Sequence, residues 1–217
     1  QTYGIDSIIS NRFFGAENTN VLDISGSGTF IANNYISLGG ALASTGLYVR
    51  NNTSDVKIVN NSIENIGTSA SSYALRLEGG ATNITVKNNI FSAKNVGVPV
   101  QVPSALTNLD WDYNCYYTSG NIIGSYNGTN YSSVSALGAA MGSDANSLNV
   151  NPFFVSDTNL MVSQRQLNGA GIYVPGVNVD IDNEVRNASA PDIGAQEFDI
   201  DFGLLELLQP TLSCLHT

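Results

Sequence analysis

Cations are scarce in this 217-residue chain: 8 Lys plus Arg stand against 18 Asp plus Glu, for a formal net charge of −10. Surfaces that grip a nucleic acid or an anionic bilayer do so with clustered Lys and Arg, so neither is expected as a partner. Cysteine is nearly absent. Cys115 and Cys214 lie about a hundred residues apart with no C-x-x-C spacing, which excludes a disulfide scaffold and a zinc site. The one histidine, His216, stands among the last residues, outside the patterned sequence, and a serine or cysteine triad is set aside. No apolar run approaches the roughly 20 residues of a spanning helix, so membrane insertion is not expected. No basic-then-apolar leader opens the chain at Gln1, so it is read either as processed or as a piece of something larger. Charged residues make up only 12% of the chain and hydrophobic ones 42%, the reverse of a disordered composition.

Asparagine (27), serine (24) and glycine (21) are abundant, and the asparagines are ordered along the chain. Ile8-Ile9-Ser10-Asn11-Arg12-Phe13, Ile31-Ala32-Asn33-Asn34-Tyr35-Ile36, Ile58-Val59-Asn60-Asn61-Ser62-Ile63, Val86-Lys87-Asn88-Asn89-Ile90-Phe91 and Trp111-Asp112-Tyr113-Asn114-Cys115-Tyr116 align. Asn11, Asn34, Asn61, Asn89 and Asn114 then share one column, at spacings of 23, 27, 28 and 25. Apolar residues around the column alternate with the period of a half-buried strand, as in Val56-Lys57-Ile58 and Ile84-Thr85-Val86. A second strand starts after each Asn. A third closes each unit at Val21-Leu22-Asp23-Ile24-Ser25, Gly46-Leu47-Tyr48-Val49-Arg50, Ala74-Leu75-Arg76-Leu77-Glu78 and Gly97-Val98-Pro99-Val100-Gln101-Val102.

Three strands in some 25 residues cannot bury their own inward side chains, so such units must stack into a solenoid with strands about 4.8 Å apart. At each bend the Asn is expected to adopt the left-handed conformation and to bond the Asn above and below, forming a ladder. Pro99 removes a donor from its strand, which calls for a gap or a bulge there.

These repeats resemble the right-handed parallel β-helix, the pectin-lyase-like fold, and in particular secreted or cell-surface bacterial parallel β-helix repeat proteins. The resemblance extends downstream to Asp180-Ile181-Asp182-Asn183-Glu184-Val185-Arg186 and Pro191-Asp192-Ile193-Gly194-Ala195-Gln196-Glu197. Such proteins close with D-x-x-G-x-x-R and then P-D-I-G-A-Y-E. Here Asn183 stands for the Gly and Gln196 for the aromatic. The resemblance implies an all-β parallel β-helix of about five coils, three strands per coil, with a C-terminal cap fastened by Arg186 to Asp192 or Glu197. Coils are expected over 1–119. Residues 120–200 are expected to hold an aperiodic excursion (Gly120 to Ser133), a short helix around Val134, Leu137, Ala140 and Met141, and the cap. Residues 201–217 read as a linker and the start of a following module, so further domains of the same chain are expected.

This fold family commonly handles polysaccharide on the face of the third strands. Its outward columns read Asp23, Tyr48, Arg76, Pro99 and Ser25, Arg50, Glu78, Gln101. Tyr48 offers a ring for a sugar, and Arg50 and Arg76 offer bidentate bonds to a uronate, with Glu78 and Gln101 beside them. The competing reading is an Arg50–Glu78 surface pair between adjacent coils.

A lyase needs a base beside a cation-neutralised carboxylate, for which Lys57, Lys87 and Arg76 are the candidates. A hydrolase needs two carboxylates, for which Asp110 and Asp112 at i, i+2 are the pair. Neither set matches a family motif. No cofactor is expected, calcium at Asp180 and Asp182 or at Asp199 and Asp201 being the one the carboxylate spacing admits. An ice-binding face would need an outward Thr column, and Thr85 has Lys57 and Asp110 as neighbours instead. The expected function is a non-catalytic secreted or cell-surface module for adhesion or glycan contact. The alternative is a polysaccharide lyase or glycoside hydrolase whose active coils lie upstream.

Overall fold

The computed structural model describes residues 6–15 and 18–199. The linker and module expected at 201–217, with Asp201, Cys214 and His216, lie outside the described residues. Five coils follow one another along the chain. The first holds β1 (Ser7–Ile9), β2 (Arg12–Gly15) and β3 (Asn20–Ile24), and the second β4 (Phe30–Ala32), β5 (Tyr35–Leu38) and β6 (Thr45–Val49). The third holds β7 (Lys57–Val59), β8 (Ser62–Asn65) and β9 (Tyr73–Leu77). The fourth holds β10 (Thr82–Lys87), β11 (Ile90–Ala93) and β12 (Val98–Val102), and the fifth β13 (Thr107–Asp112), β14 (Cys115–Thr118) and β15 (Gly124–Tyr126). Like strands pair in parallel, giving three sheets: β1-β4-β7-β10-β13, β2-β5-β8-β11-β14 and β3-β6-β9-β12-β15.

Each coil buries its apolar side chains on those of the next. Ile31, Ile58, Val86 and Trp111 form one inward column, Ile36, Ile63, Phe91 and Tyr116 a second, and Leu47, Leu75 and Val100 a third. All are nearly fully buried, and each contributes roughly 1.5–3 kcal/mol relative to exposure.

At the corner between the first and second sheets the side chains of Asn11, Asn34, Asn61, Asn89 and Asn114 bond in series. Each Oδ1 from Asn34 onward accepts the backbone N–H of the preceding ladder Asn at 3.0 Å and its Nδ2 at 2.9–3.2 Å. The ladder residues do not carry the left-handed turn. Positive φ falls one residue earlier, on Ser10, Asn33, Asn60, Asn88 and Tyr113, at 53–58°. The doublets Asn33-Asn34, Asn60-Asn61 and Asn88-Asn89 therefore divide the work: the first Asn makes the turn and the second supplies the amide.

Two further expectations change. The fourth coil shifts by two residues, so that Gln101 and not Pro99 pairs with Arg76, while Val100 pairs with Leu75. Pro99 is buried, in the column of Gly46 and Ala74, which the ladder skips in every coil, so no donor is missed. The stretch from Gly120 to Ser133 contains β15, the last strand of the fifth coil, and β16 (Thr129–Tyr131), paired antiparallel to it. Asn127 (φ 48°) and Gly128 (φ 77°) supply the two left-handed residues of the tight turn between them.

Helix α1 (Val134–Met141) closes the end of the stack. Ser133 caps its N-terminus by accepting from Ala136 N, and Gly142 ends it at φ 68°. Leu137 plugs the interior where Gly124 leaves room: a Cβ there would lie 2.7 Å from Leu137 Cδ2. Beneath the plug, Trp111 Nε1 donates to Tyr116 Oη (2.5 Å), and Tyr116 donates to Asp144 (2.6 Å), which also accepts from Ser147 Oγ. Burial raises the Asp144 carboxyl to about 6. β17 (Leu148–Asn149) then adds to the edge of β14.

From the sequence, residues 150–198 are expected to complete the cap at the stack's end. They run back along its flank, over the outer face of the second sheet, as a strap with little regular structure. Tyr35 packs on Leu160, Ile181 and Ala195, and Ile90 and Cys115 pack on Val162, Leu167 and Ile193. The turn residues fasten it: Asn33 Nδ2 donates to Val179 O (2.7 Å), Asn60 Nδ2 to Asp192 O (3.4 Å), and Asn88 Nδ2 to Ile172 O (2.7 Å). β5, β8 and β11 are consequently buried on both faces.

Candidate functional site

The strap covers the second sheet and leaves the third open, which is where the expected sugar-binding residues lie. Parallel register stacks Asp23, Tyr48, Arg76, Gln101 and Ser125 in one outward column. Arg50 and Glu78 follow two residues beyond Tyr48 and Arg76, immediately past the ends of β6 and β9.

The structure pairs these charges differently from the expected Arg50–Glu78 contact. Arg50 reaches one coil back to Asp23, with Nε to Oδ1 at 2.6 Å and Nη2 to Oδ2 at 2.7 Å, a bidentate fork. Arg76 pairs with Glu78 along its own strand, through Nε at 2.8 Å and Nη2 at 2.6 Å. The cause is geometric: i and i+2 on a strand share one face. Tyr48 links the two pairs. Its hydroxyl donates to Glu78 Oε1 (3.1 Å), and both guanidinium groups lie over its ring, at 5.5 Å for Arg50 and 5.7 Å for Arg76. Arg76 also lies 5.7 Å from the Tyr73 ring. Partial burial opposes the shift at Asp23, but hydrogen bonds from Arg50 and Asn20 hold its carboxyl below the usual range. Burial and the Glu78 carboxylate push the Tyr48 hydroxyl up. Gln101 Oε1 is buried without a hydrogen-bond partner.

Beside the column runs a groove of about 310 Å³, lined by Asn18, Asn20, Ser44, Thr45, Ser71 and Arg76 among others. It brings neutral hydrogen-bonding groups next to the Tyr48–Arg76 stack. Sequence reasoning singled out Arg76 alone among these, because Asn18, Ser44 and Ser71 belong to the turns that enter the third sheet and Asn20 and Thr45 are the first residues of β3 and β6.

The candidate chemical groups elsewhere are taken up by the fold. Asp110 forms an ion pair with Lys87 (2.7 Å), and Asp112 accepts from Asn146 N and Nδ2, both at 2.7 Å. Lys57 and Lys87 are on the first sheet and Arg76 on the third, so the lyase candidates do not converge. Lys57, Thr85 and Asp110 share a column, as the alignment has it.

The closing segment forms its own polar network. Arg186, 5% exposed, donates to Glu197 Oε2 (3.2 Å), Gly194 O (2.9 Å) and Asn33 Oδ1 (2.9 Å), and reaches the backbone oxygen of Asp192, not its carboxylate. The Asp192 carboxylate accepts from Gly169 N and Phe198 N, both at 2.6 Å. Asp180 accepts from Asp182, Glu184 and Glu197 N, and Asp182 pairs with Arg12. Asn183 has φ 66°, the conformation that the glycine of the resembling motif would supply. Burial lowers the Arg186 pKa against the pull of Glu197, Asp180 and Asp192, and it raises the Asp192 carboxyl to about 6. Among the described residues, no group of three or more His, Cys, Asp or Glu side chains is arranged to hold a metal ion, and no helix is long and apolar enough to cross a membrane.

No protein-family model matches the chain, and neither a curated protein nor a solved structure matches it.

Proposed function

We propose that this chain is a non-catalytic binding module that presents the open face of its third sheet to a glycan, as a secreted or cell-surface part of a larger protein. One observation carries the reading: the Tyr48–Arg76 stack and the adjoining hydroxyl- and amide-lined groove lie on the face that the strap leaves uncovered. Aromatic and guanidinium planes suit the C–H faces of sugar rings, and Asn, Ser and Thr suit their hydroxyls. Residues 180–197, whose pattern resembles the closing motif of secreted bacterial β-helix proteins of the pectin-lyase-like type, support the same placement outside the cell. The non-catalytic part of the reading is supported by Asp110 and Asp112, each tied to a structural partner.

The test is a glycan array probed with the purified chain, followed by calorimetry on the hits. Binding by the wild type that falls at least about tenfold in Tyr48→Ala supports the proposal, tenfold corresponding to about 1.4 kcal/mol. Absence of binding, or equal binding by Tyr48→Ala, would refute it. Unsaturated products detected by ultraviolet absorbance on incubation with uronate polymers would favour the lyase reading instead.

A further inference from the structure

Charge on the open face is already balanced within the protein. Asp23 and Glu78 carry two negative charges, Arg50 and Arg76 two positive ones, and each pair is joined by hydrogen bonds of 2.6–2.8 Å. A uronate carboxylate that took the Arg76 fork would have to displace Glu78. That would strand the Glu78 carboxylate and take from the Tyr48 hydroxyl its acceptor, 3.1 Å away. The same exchange at Arg50 would strand Asp23, which also holds Asn20 Nδ2 at 3.2 Å. Around this balanced pair the chain as a whole carries a net charge of −10, which repels a polyanion at long range. The groove adds no cation beyond Arg76; its other polar lining groups are Asn18, Thr19, Asn20, Ser44, Thr45 and Ser71, which exchange hydrogen bonds with hydroxyls. Its volume of about 310 Å³ is at the small end of ligand sites.

We infer that the face takes a neutral, hydroxyl-rich glycan and discriminates against uronate polymers, with Asp23 and Glu78 acting as the built-in competitors of a ligand carboxylate. The inference rests on the glycan-contact reading above and narrows its substrate class.

The test compares oligosaccharides that differ only at C6: neutral glucan, mannan and galactan oligomers against their C6-oxidised uronate counterparts. The expected result is binding to at least one neutral oligomer, with its uronate partner at least about tenfold weaker. Affinity for the neutral member should hardly change with ionic strength, since no ligand charge is screened. Glu78→Gln should narrow the gap by freeing Arg76. The wild-type salt series decides the matter even if that variant fails to fold. Equal or tighter, salt-sensitive binding of the uronate would overturn this inference and leave the glycan-contact reading standing. Absence of binding to both series would remove that reading and this one with it.

Discussion

Replacing Asn61 by Ala would remove the middle rung of the ladder, and the structure gives the size of the effect. Asn61 is fully buried, and its Oδ1 accepts from Asn34 N and Nδ2, while its Nδ2 donates to Ile31 O, Val59 O and Asn89 Oδ1. After truncation Asn34 Nδ2 still has Ile8 O and Ala32 O, and Asn89 Oδ1 still has Asn61 N. The Asn34 backbone N–H loses its acceptor inside the protein, which costs roughly 1–3 kcal/mol, and the lost donations to Ile31 and Val59 add to it. We expect about 3 kcal/mol in total, or a fall in Tm of roughly 6–12 °C for a chain of this length. Asn11→Ala is the matched control. Asn11 is exposed at the first rung and donates only to Ile9 O and Asn34 Oδ1, so its loss should cost under about 1 kcal/mol. Urea denaturation followed by circular dichroism gives both values. Equal losses at the two positions would refute the argument that burial of the rung sets its worth.

Three more outcomes follow from buried groups. Arg186→Leu leaves Glu197 and Asn33 without their buried partner, so it should cost about 3–5 kcal/mol and open residues 150–199 to limited proteolysis before the coils; a cleavage pattern unchanged from wild type would count against the fastening role. Burial raises Glu64 to about 7 and Asp144 and Asp192 to about 6, so the folded state holds protons there that the unfolded chain has released. Their stabilisation is complete below the ordinary carboxylate range and is lost as pH rises through 6–7, so the denaturation midpoint should be higher at pH 5 than at pH 8, and Glu64→Gln should flatten the upper part of that slope. Asp23 and Asp55 shift the other way and titrate below this window. Burial pushes the Cys115 thiol up to about 12, so alkylation of the native protein, mapped by mass spectrometry, should spare Cys115 until denaturant is added.

The repeat was legible because the ladder needs one residue type at one corner, and Asn11, Asn34, Asn61, Asn89 and Asn114 mark it despite unequal loops. The doubled Asn carried a second message that period counting missed: a left-handed residue must precede the rung, and its outward amide then holds the strap. Register failed at Pro99 because Ala74 and Leu75, like Pro99 and Val100, are consecutive buried residues, which breaks the alternation on which the alignment relied. Asn127-Gly128 was a hairpin signal passed over as ordinary Asn-rich sequence. The strap has no period to read. Its trace in the sequence is indirect: the outward column Arg12, Tyr35, Ser62, Ile90 and Cys115 carries no charge after Arg12, whose partner is Asp182 of the strap, as expected of a face that is covered. At the open face the residue types were legible from strand alternation. Their pairing was not, since Arg50 could reach Asp23 or Glu78 and only the coil-to-coil geometry decides.

Hydrogen exchange read by NMR at the backbone amides of Asn34, Asn61 and Asn89 tests coaxial stacking most directly, because each of these N–H groups bonds a side chain of the next coil and no backbone carbonyl. All three should exchange as slowly as the strand amides of Ile36, Ile63 and Phe91. Exchange as fast as that of the exposed turn amide of Ser189 would contradict the stacked ladder and the fold built on it.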